Sequence, residues 1–310
     1  MAKATEDKTQ ITRRTAVAAG VLLPGIAGLS PASADVRPGD IPGPGFKKAY
    51  ADGPYGQIHY RIVRPAGASK TPLMCLHPSP MSGIVYDNWI VEMGKDRLAL
   101  APDTPGFGGS DQPPQPVEIP DFGKAMARFL DEMKLERVDV MGYHTGSFTS
   151  VELARSFPQR IRKVVMISAP IFNAQELEQL RATSGAPAQP YDVMLERGAE
   201  TWRKNGRGMF RDVPTDDRYI DFRLEAIRRF RTTSWGFRAA FNYDLAKGLS
   251  EVKQPVLVLN PEDDLWTMTP RAKPYLNKDS RIHDFPGWTH GHLDAHTQEM
   301  AKVVRGFLDA

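Results

Sequence analysis

The sequence predicts an α/β fold: a mostly parallel sheet with helices on both faces. Two observations predict it. Short apolar runs alternate with segments of helical periodicity before residue 170 and after residue 250, as βαβ units require. Several of the runs are continuous rather than alternating, which suits strands buried on both faces. A third observation is more local. A strand pattern passes into a helix through Gly142-Tyr143-His144-Thr145-Gly146, with glycine on either side of the turn.

The elements follow in order. Residues 1–34 read as an export signal. Thr12-Arg13-Arg14-Thr15 carries a twin-arginine pair, residues 16–29 form a mild apolar run, and Ala32-Ser33-Ala34 is a small-residue cleavage site. That order describes a bacterial signal of the twin-arginine type, which implies the twin-arginine export machinery as a partner and a periplasmic or secreted mature protein. The apolar run is too short and too broken by Gly and Pro to span a bilayer, so stable membrane insertion is not expected. Residues 35–45 are rich in Pro and Gly and read as a linker. Residues 57–63 alternate apolar and polar, as an edge strand does. Residues 72–76 and 97–102 are short apolar runs. Over 119–135, Phe122, Met126, Phe129, Leu130 and Met133 fall on one helical face. A strand at 138–141, a helix at 148–156 and a strand at 163–168 follow. Strands at 255–259 and 281–285 and a helix at 300–308 close the chain.

Between 170 and 250 the alternation stops. The stretch is helical in pattern and dense in arginine: Arg203, Arg207, Arg211, Arg218, Arg223, Arg228, Arg229, Arg231 and Arg238. It reads as a helical cap inserted into the core after the sixth strand, leaving core segments 46–169 and 251–310. Most of its arginines are expected on a solvated face, with one or two available to an anionic substrate. The remaining composition narrows the class. Of 310 residues, 41% are hydrophobic and 25% charged, with a net charge of +3. There is no basic stripe or module for nucleic acid. Cys75 is the only cysteine, so no intrachain disulfide forms.

Four landmarks carry the chemistry. The first is His77-Pro78-Ser79-Pro80-Met81-Ser82 after the strand at 72–76. The second is the glycine-rich segment 103–113, Asp-Thr-Pro-Gly-Phe-Gly-Gly-Ser-Asp-Gln-Pro. The third is the turn at His144. The fourth pairs Asp264, after one late strand, with His290, after the next. Together these resemble the α/β-hydrolase superfamily, and most of all its branch of haloalkane dehalogenases, epoxide hydrolases and carbon–carbon bond hydrolases. The resemblance covers 45–170 and 250–310. It implies the α/β-hydrolase fold: a mostly parallel eight-stranded sheet, helices on both faces and a helical cap.

Carried over residue by residue, the resemblance makes His144 the raised residue of the nucleophile elbow, where serine, cysteine or aspartate is usual. It makes the backbone N–H groups of Thr145 and Ser79 the oxyanion hole. Pro78 stands where the family has glycine and has no N–H to give. Asp264 takes the acid position, with Asp263 as runner-up. His290 takes the histidine position, with His292 as alternative. His296 reads as surface, His77 as structural, and Tyr143 as packing beneath the elbow. Ser147 lies a turn into the helix and does not read as the nucleophile.

A neutral imidazole at the elbow is competent as a nucleophile and as a base. The favoured reading is a hydrolase of an activated ester, lactone or similar small molecule, needing no cofactor and no metal. The second is non-hydrolytic acid–base chemistry by His144 and His290, in a lyase, isomerase or cofactor-free oxygenase. A third places a metal between the two histidines and a carboxylate. It is disfavoured because Asp264 is expected behind His290, on the side away from His144. A fourth is a ligand-binding protein without turnover.

Overall fold

Residues 45–310 are described by a computed structural model, apart from 185–189, 206 and 229–231. Residues 1–34, read above as an export signal, and all but the last residue of 35–45, read as a linker, lie outside the described residues, as do Arg229 and Arg231.

The chain opens with a hairpin of β1 (Lys47–Gly53) and β2 (Gly56–Val63), followed by β3 (Lys70–Leu76), α1 (Asp87–Met93), β4 (Arg97–Pro102) and α2 (Ile119–Glu132). Then come β5 (Val138–Tyr143), α3 (Thr145–Ser156) and β6 (Ile161–Ile167). Among the described residues five helices intervene: α4 (Ala174–Ser184), α5 (Tyr191–Asn205), α6 (Asp216–Arg228), α7 (Thr233–Asn242) and α8 (Leu245–Glu251). The core resumes with β7 (Val256–Pro261), β8 (Arg281–Phe285), α9 (His292–Ala295) and α10 (Thr297–Leu308). The sheet has eight strands in the order β1-β2-β4-β3-β5-β6-β7-β8. β2 runs antiparallel to both its neighbours, β1 and β4, and the other neighbouring pairs are parallel.

Two corrections to the sequence reading arise at the start of the sheet. The strand at 57–63 is not an edge strand: β1 covers it. The edge strand is Lys-Lys-Ala-Tyr-Ala-Asp-Gly, and none of its residues is fully buried, so it lacks the apolar signature of a strand.

The pleat sorts the core onto two faces. In β3, Leu73 and Cys75 pack on one side with Trp89 and Ile90 of α1 and Met300 and Val304 of α10. Met74 and Leu76 pack on the other, with Phe122 and Phe129 of α2 and Phe148 and Val151 of α3. All four β3 side chains are fully buried. The glycine-rich segment at 103–113 is organised by one buried carboxylate. Asp103 accepts from the backbone N–H of Gly83 (2.7 Å) and Gly109 (2.9 Å), and from Arg61 (3.1 Å). Its Oδ2 also meets His59 Nδ1 at 2.7 Å. Gly108 has φ +53°, and a Cβ there would lie 2.1 Å from Asp103 Oδ2, which restricts the position to glycine. The loop thereby holds the segment that carries Ser79: Thr104 N–H donates to His77 Nε2 at 2.9 Å.

The helical cap is fastened by its arginines. Arg218 of α6 donates to Asp294 (3.0 Å), Asp87 (3.3 Å) and the carbonyl of Ile84 (2.7 Å). Arg238 of α7 pairs with Glu118 at 2.8 Å. Among the described residues, no helix is long and apolar enough to cross a membrane.

Candidate active site

Ligand crevices in open α/β sheets lie outside the carboxyl ends of the strands. Here those ends deliver Ser79 after β3, His144 after β5, Ser168 after β6, Asp263 and Asp264 after β7 and His290 after β8.

The turn at His144 has the elbow geometry. β5 ends at Tyr143, α3 begins at Thr145, and His144 between them has φ +47° and ψ −113°. Positive φ in a residue with a Cβ costs about 1–3 kcal/mol and persists only where the surroundings enforce it. Both flanking glycines are enforced by contact. A Cβ on Gly142 would lie 2.2 Å from the carbonyl oxygen of Gly146, and one on Gly146 would lie 1.9 Å from that of Leu76. Ser147 is fixed structurally, its hydroxyl donating toward Gly142 O and Ile167 O at 3.0 Å each.

The loop after β7 brings two acids to the site, Asp264 beside His290 as expected and Asp263 beside His144. His144 pairs through Nε2 with Asp263 Oδ2 at 2.8 Å. Asp263, the runner-up, is therefore the partner of the elbow residue. Its side chain is fully shielded from solvent. Ser168 Oγ donates to the same oxygen at 3.0 Å, and the backbone N–H of Leu265 donates to Oδ1 at 2.8 Å. Asp264 does pair with His290, Oδ1 to Nε2 at 2.9 Å. However, it does not stand behind His290 away from His144. One donor atom from each of His144, Asp263, Asp264 and His290 falls within 4.8 Å of the others. The two imidazoles meet edge to face, 5.3 Å between centroids. The site thus holds two histidine–carboxylate pairs side by side. Adjacent residues on one loop supply the two carboxylates.

Tyr143 does more than pack. It is buried against His144, as expected, and its hydroxyl also lies 2.6 Å from Nδ1 of His290. Both ring nitrogens of His290 are therefore engaged, and Phe210 of the cap region stacks on the ring at 4.9 Å.

The charges follow from these contacts. Burial alone disfavours an imidazolium at His144, but the carboxylate of Asp263 outweighs it and raises the pKa above the ordinary histidine value. Burial opposes the ionised form of Asp263, yet His144 and its hydrogen bond hold the carboxyl well below the usual carboxylate range. Asp264 is lowered too: burial works against ionisation, and the hydrogen bond to His290 prevails. Burial raises the Tyr143 hydroxyl, with Asp263 adding to it.

Thr145 opens α3, and its backbone N–H lies in the first turn, where helix N–H groups have no internal acceptor. Ser79 N–H points to Thr145 Oγ1 at 3.4 Å. The two residues expected to form the oxyanion hole are thus brought together beside His144. The alternatives are structural. His292 is fully buried, donates to Thr289 O at 2.8 Å and has its pKa drawn down to about 4 by burial. His77 is buried between Pro78 O and Thr104. His296 stacks on Trp288 at 4.2 Å.

Two cavities adjoin the constellation. One, of about 220 Å³, is walled by Ser79, Tyr143, Phe210, Arg223 and His290 among others. The second, of about 360 Å³, is walled by Thr145, Phe148, Phe172 and Leu265 among others. His144, Asp264 and Phe237 border both. Of the cap arginines, Arg223 reaches a cavity wall; Arg207, Arg218 and Arg238 are paired with carboxylates.

Comparison with known proteins agrees with this architecture. A model of the alpha/beta hydrolase fold family matches residues 71–212. A poly(3-hydroxyalkanoate) depolymerase from Ectopseudomonas oleovorans is 26% identical over 212 residues, 65% of this chain and 71% of the relative. A 2-(acetamidomethylene)succinate hydrolase from Mesorhizobium japonicum is 23% identical over 264 residues, 80% of this chain and 91% of the relative. Among solved structures, the enol-lactonase from Burkholderia xenovorans LB400 superposes with a TM-score of 0.67 at 18% identity, over 84% of this chain and 100% of its own. Sheet order, elbow geometry and these matches together show that the chain has the α/β-hydrolase fold.

Proposed function

We propose that this protein hydrolyses an activated ester, lactone or similar small acyl compound, with His144 in the position of the nucleophile. The observation that carries the reading is the His144–Asp263 hydrogen bond at the strained elbow, beside the backbone N–H groups of Ser79 and Thr145. With Nε2–H donated to Asp263, the lone pair resides on Nδ1. That nitrogen attacks the carbonyl carbon, or draws a proton from a water that does. The carbonyl oxygen gains charge against the two N–H groups. In the covalent course an acyl-imidazole forms, the alcohol leaves with a proton, and water releases the acid. The leaving alcohol takes its proton from water in the cavity, since Asp264 and Tyr143 hold both ring nitrogens of His290. The names of the relatives, a poly(3-hydroxyalkanoate) depolymerase and a 2-(acetamidomethylene)succinate hydrolase, support hydrolytic chemistry.

The test uses purified protein and a panel of aryl esters and enol lactones. His144→Ala is expected to abolish turnover. Activity that survives it overturns the reading. Rapid quench with mass spectrometry separates the two courses, since only the covalent one labels His144. A second reading, proton transfer without hydrolysis, is favoured by His144 and Asp264, one member of each histidine–carboxylate pair, bordering both cavities. Isomerisation or elimination products from the same panel would reveal it. If no substrate turns over and ligands still bind, the protein is a binder without chemistry.

Export by the twin-arginine route belongs to the same proposal, supported by Arg13-Arg14, the apolar run after them and Ala32-Ser33-Ala34. Replacing both arginines with lysine is expected to retain the protein in the cytoplasm. Unchanged fractionation would refute export by this route.

A further inference from the structure

The two histidine–carboxylate pairs have a joint property that neither has alone. A ring nitrogen from each of His144 and His290 and an oxygen from each of Asp263 and Asp264 form a four-donor set within 4.8 Å. Two separations in that set are already short, 2.8 Å for His144–Asp263 and 2.9 Å for His290–Asp264. A tetrahedral ion with nitrogen and oxygen donors at about 2.0–2.2 Å needs donor–donor spacings of roughly 3.3 Å. The set therefore reaches coordination distance by a modest closing of the two pairs and a slight lengthening within each. Charge fits as well. Two carboxylates and two neutral imidazoles balance an ion of charge +2.

Outer contacts strengthen the case. Ligating histidines use the other ring nitrogen for a fixing hydrogen bond, and ligating carboxylates are themselves held. Nδ1 of His290 meets the Tyr143 hydroxyl at 2.6 Å. Asp263 is held by Leu265 N–H at 2.8 Å and Ser168 Oγ at 3.0 Å. Asp264, about half exposed, gives the ion an entry side. Imidazole and carboxylate without thiolate suit zinc and its first-row neighbours rather than calcium or magnesium.

We propose that His144, Asp263, Asp264 and His290 bind one divalent first-row transition-metal ion, of the zinc or cobalt class. The site does not depend on the hydrolase reading. Occupancy does bear on it: a metal on the His144 nitrogen that now faces Asp263 moves the ring proton to the other nitrogen, and the metal-free base is lost.

The experiment is calorimetric titration of ZnCl2 into chelator-treated full-length protein, repeated with CoCl2 and read by visible absorption. One ion per chain is expected. His290→Ala and Asp263→Asn should each weaken binding by roughly 100-fold or more, and Tyr143→Phe by about 10-fold. His296→Ala should leave binding unchanged. Circular dichroism and melting of each variant establish that it folds, and Tyr143→Phe keeps the test alive if the ligand variants do not. Absence of saturable binding overturns the proposal, as does binding that survives His290→Ala. The hydrolase reading fails by a different result, turnover by metal-free His144→Ala, so the two failures are distinguishable.

Discussion

Asp263→Asn is the substitution whose outcome can be worked through atom by atom. Asp263 receives three hydrogen bonds: Leu265 N–H on Oδ1, and Ser168 Oγ and His144 Nε2 on Oδ2. Leu265 offers a backbone donor that cannot reverse, so the asparagine must turn its carbonyl oxygen to that position. Its NH2 group then takes the place of Oδ2. Ser168 can rotate its hydroxyl to accept. His144 Nε2 must now accept a proton instead of giving one, and its ring proton moves to Nδ1. The lone pair that attacks or deprotonates is thereby lost. The same tautomer reversal in a Ser-His-Asp triad lowers turnover by about 10⁴. A loss of 10³–10⁴ in kcat/KM is expected here, about 4–5.5 kcal/mol at 1.36 kcal/mol per tenfold. The count of hydrogen bonds is unchanged, so stability should move by only about 1 kcal/mol. The assay is kcat/KM on the responding ester, with Asp264→Asn alongside and a thermal melt of each. Asp264→Asn is expected to cost less, about 10–100-fold, because it acts through His290. An Asp263→Asn protein within 10-fold of the parent, or one hit less hard than Asp264→Asn, would refute the assignment of Asp263 to His144.

Other expectations follow from the same geometry. Gly146→Ala places a methyl 1.9 Å from the oxygen and 2.5 Å from the carbon of the Leu76 carbonyl; with backbone on both sides, destabilisation of about 3 kcal/mol is expected by denaturant unfolding, and an unchanged midpoint would contradict the close approach. The raised pKa of His144 keeps its ring protonated to higher pH. In chelator-treated protein, kcat/KM should therefore rise with pH through an inflection above the ordinary histidine value of about 6.5; an inflection at or below it would count against Asp263 as the controlling charge. Linkage has the matching sign: the pair stabilises the fold fully below the unfolded pKa and loses that contribution as pH rises through the raised folded value, so the difference in melting temperature between parent and Asp263→Asn should shrink with rising pH. Arg218→Ala strips the nearly buried Asp294 of its cation and should cost about 3 kcal/mol, read as a lower melting temperature and faster proteolysis of 170–250.

The parts of this molecule that could be read from sequence are those where backbone geometry dictates residue type. Gly142 and Gly146 stand at the elbow because any Cβ strikes a carbonyl, and Gly108 because a Cβ strikes Asp103. The internal strands were readable because burial on both faces leaves a continuous apolar stretch, as in β4 and β7. Where burial is partial the signal fades. The edge strand Lys47–Gly53 has no fully buried residue, and the seven-residue α1 is too short to establish a period. Of the site, the pairing of Asp264 with His290 was readable, and the pairing of Asp263 with His144 was not. Asp263 and Asp264 are adjacent on a loop, and spacing says nothing about which way each points. That is settled by Leu265 N–H and Ser168 Oγ, which gather on Asp263. The bond from Tyr143 to His290 spans 147 positions, beyond any local pattern.

The elbow itself argues against a decayed site. Holding His144 at φ +47° costs about 1–3 kcal/mol that glycine would avoid. Keeping the Asp263 carboxylate fully shielded carries a further desolvation cost, which is offset only by groups aimed at it. Those groups are His144, Ser168 and the Leu265 N–H, contributed by three separate strand ends. A pocket that merely binds requires neither the strain nor the buried charge. Both are needed if the imidazole must stand above the sheet in one tautomer, beside Ser79 and Thr145, with its free nitrogen at the reacting carbon. Serine at the same place would need a separate base to remove its proton. A histidine already backed by Asp263 carries its own orienting acid, which leaves His290 with Asp264 and Tyr143 as an independent second pair. The substitution His144→Ser is therefore expected to give a weak esterase at best, because the base it needs is His290, and Nε2 of that ring is engaged by Asp264 while Nδ1 is engaged by Tyr143. Efficient ester hydrolysis by His144→Ser would show instead that His290 is free to turn, and that the two pairs act as one relay.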